Sequence, residues 1–295
     1  MIWLIGNKGM LGTELSILLE KSGFLFVGTD REVDITDLSA IRGFVQAQKG
    51  TIDRIINCAA YTAVDKAEDD KDNCRLLNAE APRNIAVTAN EINAKLIHFS
   101  TDYVFNGRSN RPYTEDDATD PIGVYGLTKR DGEIHILKEN EQSYIIRTAW
   151  LYGYYGNNFV RTMLKLMKEK ESVSVVNDQK GCPTWTGELS ETVISLLKAV
   201  NINTIPYGIY HFAGEGEITW FDFANEIYNQ AKTFGLLKND CDVKSCTSAD
   251  FPAKVKRPAY SVLDKTKIKK TLGIEIPEWK NSLKKYMKIR MQNNA

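Results

Sequence analysis

A tyrosine and a lysine that could carry out proton transfer stand four positions apart, at Tyr125 and Lys129. On a helix this spacing puts both side chains on one face, so that the lysine ammonium can lie one turn below the phenol hydroxyl. A phenol with a pKa of about 10 is a poor proton relay near neutral pH, and a neighbouring cation lowers that pKa. The pair therefore fits an acid that protonates a carbonyl oxygen while hydride reaches the carbonyl carbon.

A second hydroxyl, that of Thr101, lies at the carboxyl end of a predicted strand and could bind the same carbonyl oxygen. We predict Tyr125 as the general acid, Lys129 as the group that lowers its pKa and binds a ribose, and Thr101 as the orienting hydroxyl. A tyrosine and a lysine at this spacing also occur on ordinary amphipathic helices. The prediction therefore depends on the motifs that accompany the pair along the chain.

A glycine-rich turn with Gly6, Gly9 and Gly12 follows the first predicted strand directly, and a helix is predicted to begin within it. Glycine lets backbone N–H groups approach a pyrophosphate, and the helix amino terminus adds its partial positive charge. This position between strand and helix favours dinucleotide binding over a purely structural turn. The predicted contacts are Gly6, Gly9, Met10, Leu11 and Gly12.

Two residues at the end of the second predicted strand give opposing indications of the coenzyme. Asp30 could accept hydrogen bonds from the adenosine ribose, which favours NAD, whereas Arg31 could pair with the 2′-phosphate of NADP. We therefore expect use of NADPH or NADH, with NADPH favoured. Asp34 and Ile35 are predicted either to contact the adenine or to form only the entry to the next helix.

Small residues follow the third predicted strand at Ala59 and Ala60, where the backbone must pass close to a dinucleotide. Tyr61, Ser100 and the Tyr125–Lys129 pair complete the predicted coenzyme site.

Apolar runs of strand length alternate with amphipathic runs of helix length over the first 150 residues, a pattern typical of βαβ units in a parallel sheet. The five predicted strands are Ile2–Ile5, Phe24–Gly28, Arg54–Asn57, Lys95–Ser100 and Tyr144–Arg147. The predicted helices are Leu11–Lys21, Leu38–Gln48, Asn73–Asn90, Gly126–Lys138, Asn158–Lys170, Glu188–Val200 and Trp279–Met291. We expect an α/β fold in which residues 1–150 form a Rossmann-like doubly wound parallel sheet. Residues 151–295 mainly form a smaller substrate-binding lobe, with interleaved boundaries.

Composition excludes several other classes of protein. Lysine plus arginine equals aspartate plus glutamate at 38 each, so no overall positive charge favours nucleic acid or an anionic membrane. No apolar run approaches the length of a membrane span, and the first residues leave no room for a signal peptide, so we expect a cytoplasmic protein. The five cysteines and three histidines show no metal-binding spacing, and structural roles are expected for them.

The chain resembles the dTDP-4-dehydrorhamnose reductases of the extended short-chain dehydrogenase/reductase family. The segments that carry the resemblance are Ala59–Glu68, Ser100–Phe105, Arg147–Tyr152, Gly156–Phe159 and Asn177–Gln179. The resemblance implies NAD(P)H-dependent reduction of the 4-keto group of dTDP-6-deoxy-L-lyxo-4-hexulose to dTDP-L-rhamnose, with Thr101, Tyr125 and Lys129 as the catalytic residues. It also implies substrate contacts from Val64, Thr101, Asp102, Tyr103, Tyr125, Trp150, Asn158 and Arg257.

In this family some members dimerise around Mg²⁺ held by glutamates, and Glu14 and Glu188 fall near the corresponding positions. A third glutamate has no counterpart here, so a metal-linked dimer is disfavoured and no metal ligand is assigned, although Mg²⁺ stays a possible cofactor. We expect a solvated helix position for both residues and a monomer or a homodimer.

Three alternatives remain open. Another nucleotide-sugar keto-reductase or an epimerase could use the same residues. A dehydratase is disfavoured because Asp102 is followed by Tyr103, where dehydratases of this superfamily carry a glutamate. A non-catalytic dinucleotide-binding subunit is disfavoured because both Tyr125 and Lys129 are present.

Overall fold

The computed structural model describes residues 1–48, 50–200, 205–250 and 253–293. The predicted second lobe, residues 151–295, includes residues 201–204, 251–252 and 294–295, which lie outside the described part. The strands are β1 (Ile2–Ile5), β2 (Phe26–Thr29), β3 (Arg54–Asn57), β4 (Lys95–Thr101), β5 (Ser143–Thr148), β6 (Leu151–Tyr152), β7 (Ser172–Val176), β8 (Lys180–Gly181), β9 (Thr184–Trp185), β10 (Gly208–His211), β11 (Ile218–Thr219) and β12 (Asp242–Cys246).

The α-helices of the described residues are α1 (Met10–Lys21), α2 (Leu38–Ala47), α3 (Val64–Ala67), α4 (Lys71–Arg75), α5 (Ala81–Glu91), α6 (Val124–Glu139), α7 (Phe159–Glu169), α8 (Thr186–Val200), α9 (Trp220–Thr233), α10 (Thr266–Leu272) and α11 (Trp279–Asn293). A π-helical turn, Leu76–Glu80, joins α4 to α5, and a 3₁₀ turn, Asp102–Val104, follows β4. No helix in this part of the chain combines the length and apolar character that a bilayer crossing requires.

Six parallel strands form the central sheet in the order β10-β5-β4-β3-β1-β2, which confirms the predicted fold class. The prediction of five strands was wrong by one, because β10 was not recognised. Its four residues, Gly-Ile-Tyr-His, contain a single aliphatic side chain, and its place beside β5 at the sheet edge arises from a long-range pairing.

Helices cover both faces of the sheet. Side chains that alternate along β1 point to opposite faces, and on each face they are apolar and pack against helices. Ile2 and Leu4 pack with apolar residues of α1, α8 and α10. Trp3 and Ile5 pack with apolar residues of α2, α5 and α6. Both layers bury aliphatic side chains completely, and this burial is the main stabilising contribution to the sheet. Residues beyond 150 thus contribute α8 and β10 to this layer, and the division of the chain at residue 150 stays a prediction.

A second apolar cluster, rich in aromatic residues, joins α7, α9 and α11 to the parallel pair β7–β12. Helix α9 was not among the predicted helices. A capping box marks its start, since the Thr219 side chain accepts from the Asp222 N–H and the Asp222 carboxylate accepts from the Thr219 N–H. A Thr-x-x-Asp pattern ahead of an apolar run is a signal that could have identified α9 from sequence.

Candidate functional site

The carboxyl ends of β1 and β3 meet where the strand order reverses. The chain passes from β1 to β2 on one side and then returns to β3 on the other. In open α/β sheets the crevice at such a switch point is where ligands bind. Gly6 borders this crevice, because a β-carbon there would lie 2.8 Å from the backbone nitrogen of Ala59. The predicted glycine turn and the predicted small-residue strand end are therefore neighbours.

The glycine turn is too tight for other residues. Gly6 has φ +75°, and a β-carbon on Gly12 would lie 2.0 Å from the Gly6 carbonyl oxygen. No side chain caps the amino terminus of α1, which begins at Met10 directly after Gly9. These N–H groups and the helix dipole form a cradle that fits a pyrophosphate. Leu11 is buried and contributes backbone only.

The end of β2 carries an exposed cation. Asp30 is half-buried, Arg31 is exposed, and Glu32 forms an ion pair with Lys8 of the glycine turn. The Glu32 carboxylate also accepts from the Asp30 N–H at 2.6 Å. Arg31 is thus a charged group beside the adenosine end of the predicted coenzyme site.

Asp34 and Ile35 form the entry to α2 in the structure. The Asp34 carboxylate accepts from the N–H and hydroxyl of Thr36, and Ile35 is buried in the apolar layer below the sheet. The first turn of α2 is capped separately by Asp37, which accepts from the Ser39 N–H at 2.8 Å. A coenzyme contact from either residue stays a prediction.

The π-helical turn holds the loop that follows β3. Asn78, in that turn, accepts from the Tyr61 N–H at 2.8 Å and donates to the Tyr61 carbonyl at 3.0 Å. The Tyr61 hydroxyl donates to Asp70 at 3.1 Å. Because Gly132 has no side chain, α6 approaches Asn78 closely, and a β-carbon there would lie 2.2 Å from the Asn78 carbonyl oxygen. Sequence reasoning missed Asn78, since a π-turn inside a helical pattern has no clear sequence signal.

Strand β4 delivers two hydroxyls and a carboxyl to the crevice. The Ser100 hydroxyl is buried and has no hydrogen-bond partner among the described residues. A buried hydroxyl in this state is expected to bind a ligand or water. The Thr101 hydroxyl donates to Asp102 at 3.0 Å and accepts from the Tyr103 N–H at 3.2 Å. Ser100 and Thr101 thus present polar groups to the space beside the switch point.

Tyr125 stands in the first turn of α6, facing β4. Its ring meets the Tyr103 ring edge to face, with centroids 5.5 Å apart. Burial raises its pKa above the ordinary 10, while a hydrogen bond with the Thr101 hydroxyl acts to lower that pKa. Gly126 permits the approach, because a β-carbon there would lie 2.1 Å from the Tyr103 carbonyl oxygen. The Thr101 hydroxyl is thus close enough to Tyr125 to act on its pKa, and their joint contact with a carbonyl oxygen stays a prediction.

Lys129 is buried below Tyr125, on the same helix. Its ammonium group donates to the Phe99 carbonyl at 2.7 Å and lies 3.2 Å from Nε2 of His98. Burial lowers its pKa to about 8, and the charges of Glu133 and Cys74 act to raise it. The predicted effect of Lys129 on the pKa of Tyr125 stays a prediction.

Arg257 lies between a large cleft and the predicted catalytic residue Tyr125. Arg257 donates to Asp65 at 2.8 Å, and its charge lies close enough to Tyr103 to oppose the rise in that residue's pKa that burial causes, while the Tyr103 ring contacts Tyr125. The cleft has a volume of about 1030 Å³ and is lined by Arg257, Trp220 and residues of α7 and β7. Val64 precedes Asp65 at the start of α3. The structure thus relates Arg257 of the cleft wall to Asp65 and Tyr103, and substrate contacts from Val64, Tyr103 and Arg257 stay predictions.

Trp150 and Asn158 have marked structural contacts. Trp150 adopts φ +48° and stacks on Trp220 with centroids 3.6 Å apart. A β-carbon on Gly181 would lie 2.5 Å from the Trp150 ring, so this side chain is wedged in place. Asn158 caps α7 by accepting from the Arg161 N–H at 3.1 Å, and it donates to the Gly153 carbonyl at 2.8 Å. Substrate contact by either residue stays a prediction.

The expected solvated position of Glu188 was wrong. Glu188 is 4% exposed, accepts from the Ser282 hydroxyl at 2.6 Å and lies 3.4 Å from the Lys285 ammonium. The reason is that α11 packs over the start of α8, a contact between distant parts of the chain. Glu14 is half-buried, which raises its pKa. Among the described residues no cluster of three or more His, Cys, Asp or Glu could hold a metal ion.

Asp102 gives a testable pH dependence of stability. The side chain is buried, which raises its pKa to about 6 from 3.8, although the nearby Ser261 hydroxyl and the hydrogen bond from Thr101 act to lower it. The folded state therefore favours the protonated carboxyl. Its contribution to stability is present below about pH 4 and is lost as pH rises through about 6, a loss of about 3 kcal/mol.

We therefore expect Asp102→Asn to raise the free energy of unfolding at pH 7 by about 1–3 kcal/mol relative to the parent, with little difference at pH 4. Urea unfolding at both pH values measures this. A difference in the free energy of unfolding that is the same at pH 4 and pH 7 would contradict the raised pKa of Asp102.

Two buried residues that are linked to Lys129 by hydrogen bonds were not predicted as site residues from the sequence. Asn57 ends β3 beside the predicted small residues, and His98 was expected to have only a structural role. In the structure both connect to Lys129 through hydrogen bonds. The polar character of Asn57 at the end of an otherwise apolar strand was the available signal.

Comparison with known proteins places these features in a family. A sequence profile described as the RmlD substrate binding domain matches residues 1–291. A dTDP-4-dehydrorhamnose reductase of Aggregatibacter actinomycetemcomitans is 39% identical over 95% of each chain. A probable dTDP-4,6-dihydroxy-2-methyloxan-3-one 4-ketoreductase of Streptomyces antibioticus is 40% identical over 96% of this chain and 94% of that one. The crystal structure of a dTDP-4-dehydrorhamnose reductase from Bacillus anthracis in complex with NADP superposes with a TM-score of 0.90 at 35% identity, covering 98% of each chain.

Proposed function

The chain belongs to the RmlD substrate binding domain family, and from this premise we propose that it is an NADPH-dependent dTDP-4-dehydrorhamnose reductase. It reduces the 4-keto group of dTDP-6-deoxy-L-lyxo-4-hexulose to give dTDP-L-rhamnose. The observation that supports the proposal best is one edge of the parallel sheet that carries a glycine turn fit for a pyrophosphate after β1 and, at the end of β4, Thr101 close to the phenol of Tyr125. The names of the relatives give the substrate class.

The chain's own residues fit a dinucleotide laid across the carboxyl ends of β1, β3 and β4. The N–H groups of the turn from Gly6 to Gly12 hold the pyrophosphate. Ala59, Ala60 and Tyr61 line the middle of the coenzyme, and Ser100 offers its unpartnered hydroxyl near the reacting end. When bound, NADPH supplies the hydride. Lys129 holds the ribose next to the nicotinamide.

Tyr125 acts as the general acid. As negative charge develops on the sugar's carbonyl oxygen, the phenol donates its proton to that oxygen. The Thr101 hydroxyl, which donates to Asp102 in the structure, turns its single proton to the same oxygen and orients it. Burial keeps Tyr125 protonated over the neutral range, so the proton is available. The positive charge of Lys129 stabilises the phenolate that remains.

The nucleotide part of the substrate occupies the cleft between α7 and β7. Arg257, at the cleft wall, binds the diphosphate. Tyr103, whose ring contacts Tyr125, and Val64, next to Asp65 in the chain, are proposed to contact the sugar. Trp150 provides an apolar wall for the 6-deoxy carbon, while Asp102 and Asn158 complete the proposed contacts. The Arg257–Asp65 ion pair keeps the guanidinium in position before the substrate arrives.

A direct assay tests the proposal. The purified protein is incubated with NADPH and a panel of dTDP- and UDP-linked keto-sugars, while the absorbance of the reduced coenzyme is followed. We expect oxidation of NADPH that depends on the dTDP-4-keto-6-deoxysugar, with dTDP-L-rhamnose as the product. Oxidation only with UDP-sugars, or with none of the sugars, would overturn it.

A second candidate is reduction of a different dTDP-linked 4-keto-deoxysugar, because the relative from Streptomyces antibioticus carries such a name at similar identity. The catalytic residues serve both reactions equally. The stereochemistry of the reduced carbon, determined by NMR of the product, separates the two.

Arg31 provides a prediction about coenzyme choice. Its exposed guanidinium stands beside the adenosine end, where a 2′-phosphate would lie, and a charge-assisted hydrogen bond contributes about 1.5–3 kcal/mol. We expect Arg31→Ala to raise the Kd for NADPH by about tenfold or more and to leave the Kd for NADH within about threefold. Fluorescence titration measures both constants. Arg42→Ala, which removes a guanidinium bonded to Glu91, is the matched control and should change neither.

We propose that the enzyme works in the cytoplasm, as a monomer or homodimer, without nucleic acid or membrane partners. The five cysteines are all unpaired, which suits a reducing compartment.

A further inference from the structure

A chain of hydrogen bonds leads from the proposed coenzyme site into the protein and ends at Lys129. The Ala59 N–H donates to Oδ1 of Asn57 at 3.0 Å. Nδ2 of Asn57 lies 3.1 Å from Nδ1 of His98, and Nε2 of His98 lies 3.2 Å from the Lys129 nitrogen. Asn57, His98 and Lys129 are each 1–2% exposed, so water does not compete for these contacts.

The direction of each hydrogen bond follows from the first. A backbone N–H can only donate, so the atom of Asn57 that faces Ala59 is its oxygen, and the amide nitrogen faces His98. This nitrogen is also only a donor, and Nδ1 of His98 must therefore accept. A neutral imidazole carries one proton, which then resides on Nε2 and points at Lys129.

Lys129 therefore faces an N–H group, and an ammonium ion has no lone pair with which to accept from it. We propose that Asn57 and His98 are positioning residues that present an N–H to Lys129 and thereby favour its uncharged amine form. The lysine can then lose and regain its proton at the pH where the enzyme works. The amine still donates to the Phe99 carbonyl at 2.7 Å, so the network is complete for this form.

The charges around Lys129 agree with this balance. Burial lowers its pKa to about 8. From its own helix Glu133 acts in the opposite direction, but that carboxylate is already bound by Arg147 of β5 in a bidentate pair at 2.7 and 2.9 Å. Cys74 of α4 faces it from the other side, and its thiol pKa is raised by burial. Burial, together with the charge of Lys129, lowers the pKa of His98 well below 6.5, so the imidazole is neutral.

The other two histidines provide internal references, because their surroundings dictate the opposite tautomer. Nε2 of His211 lies 3.4 Å from the Arg147 guanidinium, which only donates, and Nδ1 lies 3.1 Å from the Tyr113 carbonyl, which only accepts. Nδ1 of His135 lies 3.2 Å from the Ala79 carbonyl. Both therefore carry the proton on Nδ1.

The first test requires no substitution. The full chain is labelled with ¹⁵N-histidine, and the long-range ¹H–¹⁵N couplings of each ring are recorded without coenzyme between pH 7 and 9.5. We expect His98 to be protonated at Nε2 only, and His211 and His135 at Nδ1. A proton on Nδ1 of His98 would overturn the proposal, since Nε2 would then accept from a charged Lys129.

The second test reverses the tautomer. Asn57→Asp keeps the side-chain shape but places a carboxylate oxygen against Nδ1 of His98, which must then carry the proton and expose Nε2 as an acceptor. We expect the pKa of Lys129, followed through its ¹³Cε resonance, to rise by about one unit or more. The resonance is assigned by its absence in Lys129→Met. An unchanged pKa would overturn the proposal.

Asn140→Asp is the matched control for Asn57→Asp. Asn140 is a buried asparagine at the carboxyl end of α6, the helix that carries Lys129, and its side chain is hydrogen-bonded to Ala94 and Gln142. It should leave the pKa of Lys129 unchanged. Should Asn57→Asp fail to fold, the tautomer measured on the parent chain, which needs no substitution, still decides the proposal.

The effect on catalysis rests on the proposed function, whereas the tautomer does not. If the ammonium of Lys129 supports proton donation, kcat falls as pH rises through its pKa, and Asn57→Asp moves this fall to higher pH by the same amount. If the parent protein shows no reductase activity but His98 carries its proton on Nε2, only the proposed function is contradicted. The opposite tautomer in an active reductase would contradict the network alone.

Discussion

Replacing Tyr125 by phenylalanine is expected to lower kcat by about 10²–10⁴-fold, the usual cost of losing one general acid. The phenylalanine ring retains the edge-to-face contact with Tyr103, so the shape of the site is kept and only the proton donor is removed. The Kd for NADPH should stay within about threefold of the parent, because the pyrophosphate cradle lies in the glycine turn. Stopped-flow measurement of NADPH oxidation and fluorescence titration give the two quantities separately.

Tyr228→Phe is a matched control for this substitution. Its hydroxyl, on α9, donates to Asp240 at 3.1 Å, and α9 packs against α7, α11 and β7 rather than against β4. This variant should keep kcat within about twofold of the parent, as expected for a surface change. Turnover of Tyr125→Phe near the parental rate would contradict the role of Tyr125 as the acid.

Replacing Gly12 by alanine is expected to weaken coenzyme binding strongly. We expect the Kd for NADPH to rise by about 100-fold or more, which corresponds to a loss of about 2.7 kcal/mol of binding free energy. The added methyl group would lie 2.0 Å from the Gly6 carbonyl oxygen and 2.8 Å from Cα of Asn7, both backbone neighbours. Backbone cannot rotate away as a flexible side chain can, so the turn must open and its N–H groups lose their common direction. Crowding of this kind also lowers the free energy of unfolding, by about 1–3 kcal/mol.

Gly43→Ala makes the same chemical change where there is room for it. Gly43 lies within α2, and a β-carbon there meets nothing within 4 Å. This variant should be more stable than the parent by about 0.5–1 kcal/mol, because alanine favours the helix, and should bind NADPH unchanged. Gly12→Ala with parental affinity for NADPH would contradict the assignment of the turn as the pyrophosphate site.

Much of the coenzyme side of the site could be predicted from sequence, because its parts are local. The glycine turn joins a strand to the helix that follows it, and Tyr125 and Lys129 lie one turn apart on α6. Strand and helix periodicity placed the five predicted strands close to their observed bounds. Short-range steric rules and side-chain direction govern such features, and both can be read along the chain.

The hydrogen bonds and ion pairs that surround Lys129 and Tyr125 could not be predicted, because they join distant segments of the chain. His98 meets Asn57 across 41 residues and Lys129 across 31 residues, and Arg257 meets Asp65 across 192 residues. Each pairing depends on strand register and on which helix covers which face. His98 was expected to be merely structural for this reason, and Glu188 was expected in solvent although α11 buries it.

The sequence by itself determined the α/β class, the glycine turn between β1 and α1 and the alignment of a phenol with an amine, since each depends on residues within one strand–helix unit. Only the tertiary structure decided the partners of Lys129, the path from Arg257 to Tyr125 and the place of β10 at the sheet edge. The physical reason is that hydrogen-bond direction and burial depend on groups brought together by packing, which no local pattern encodes.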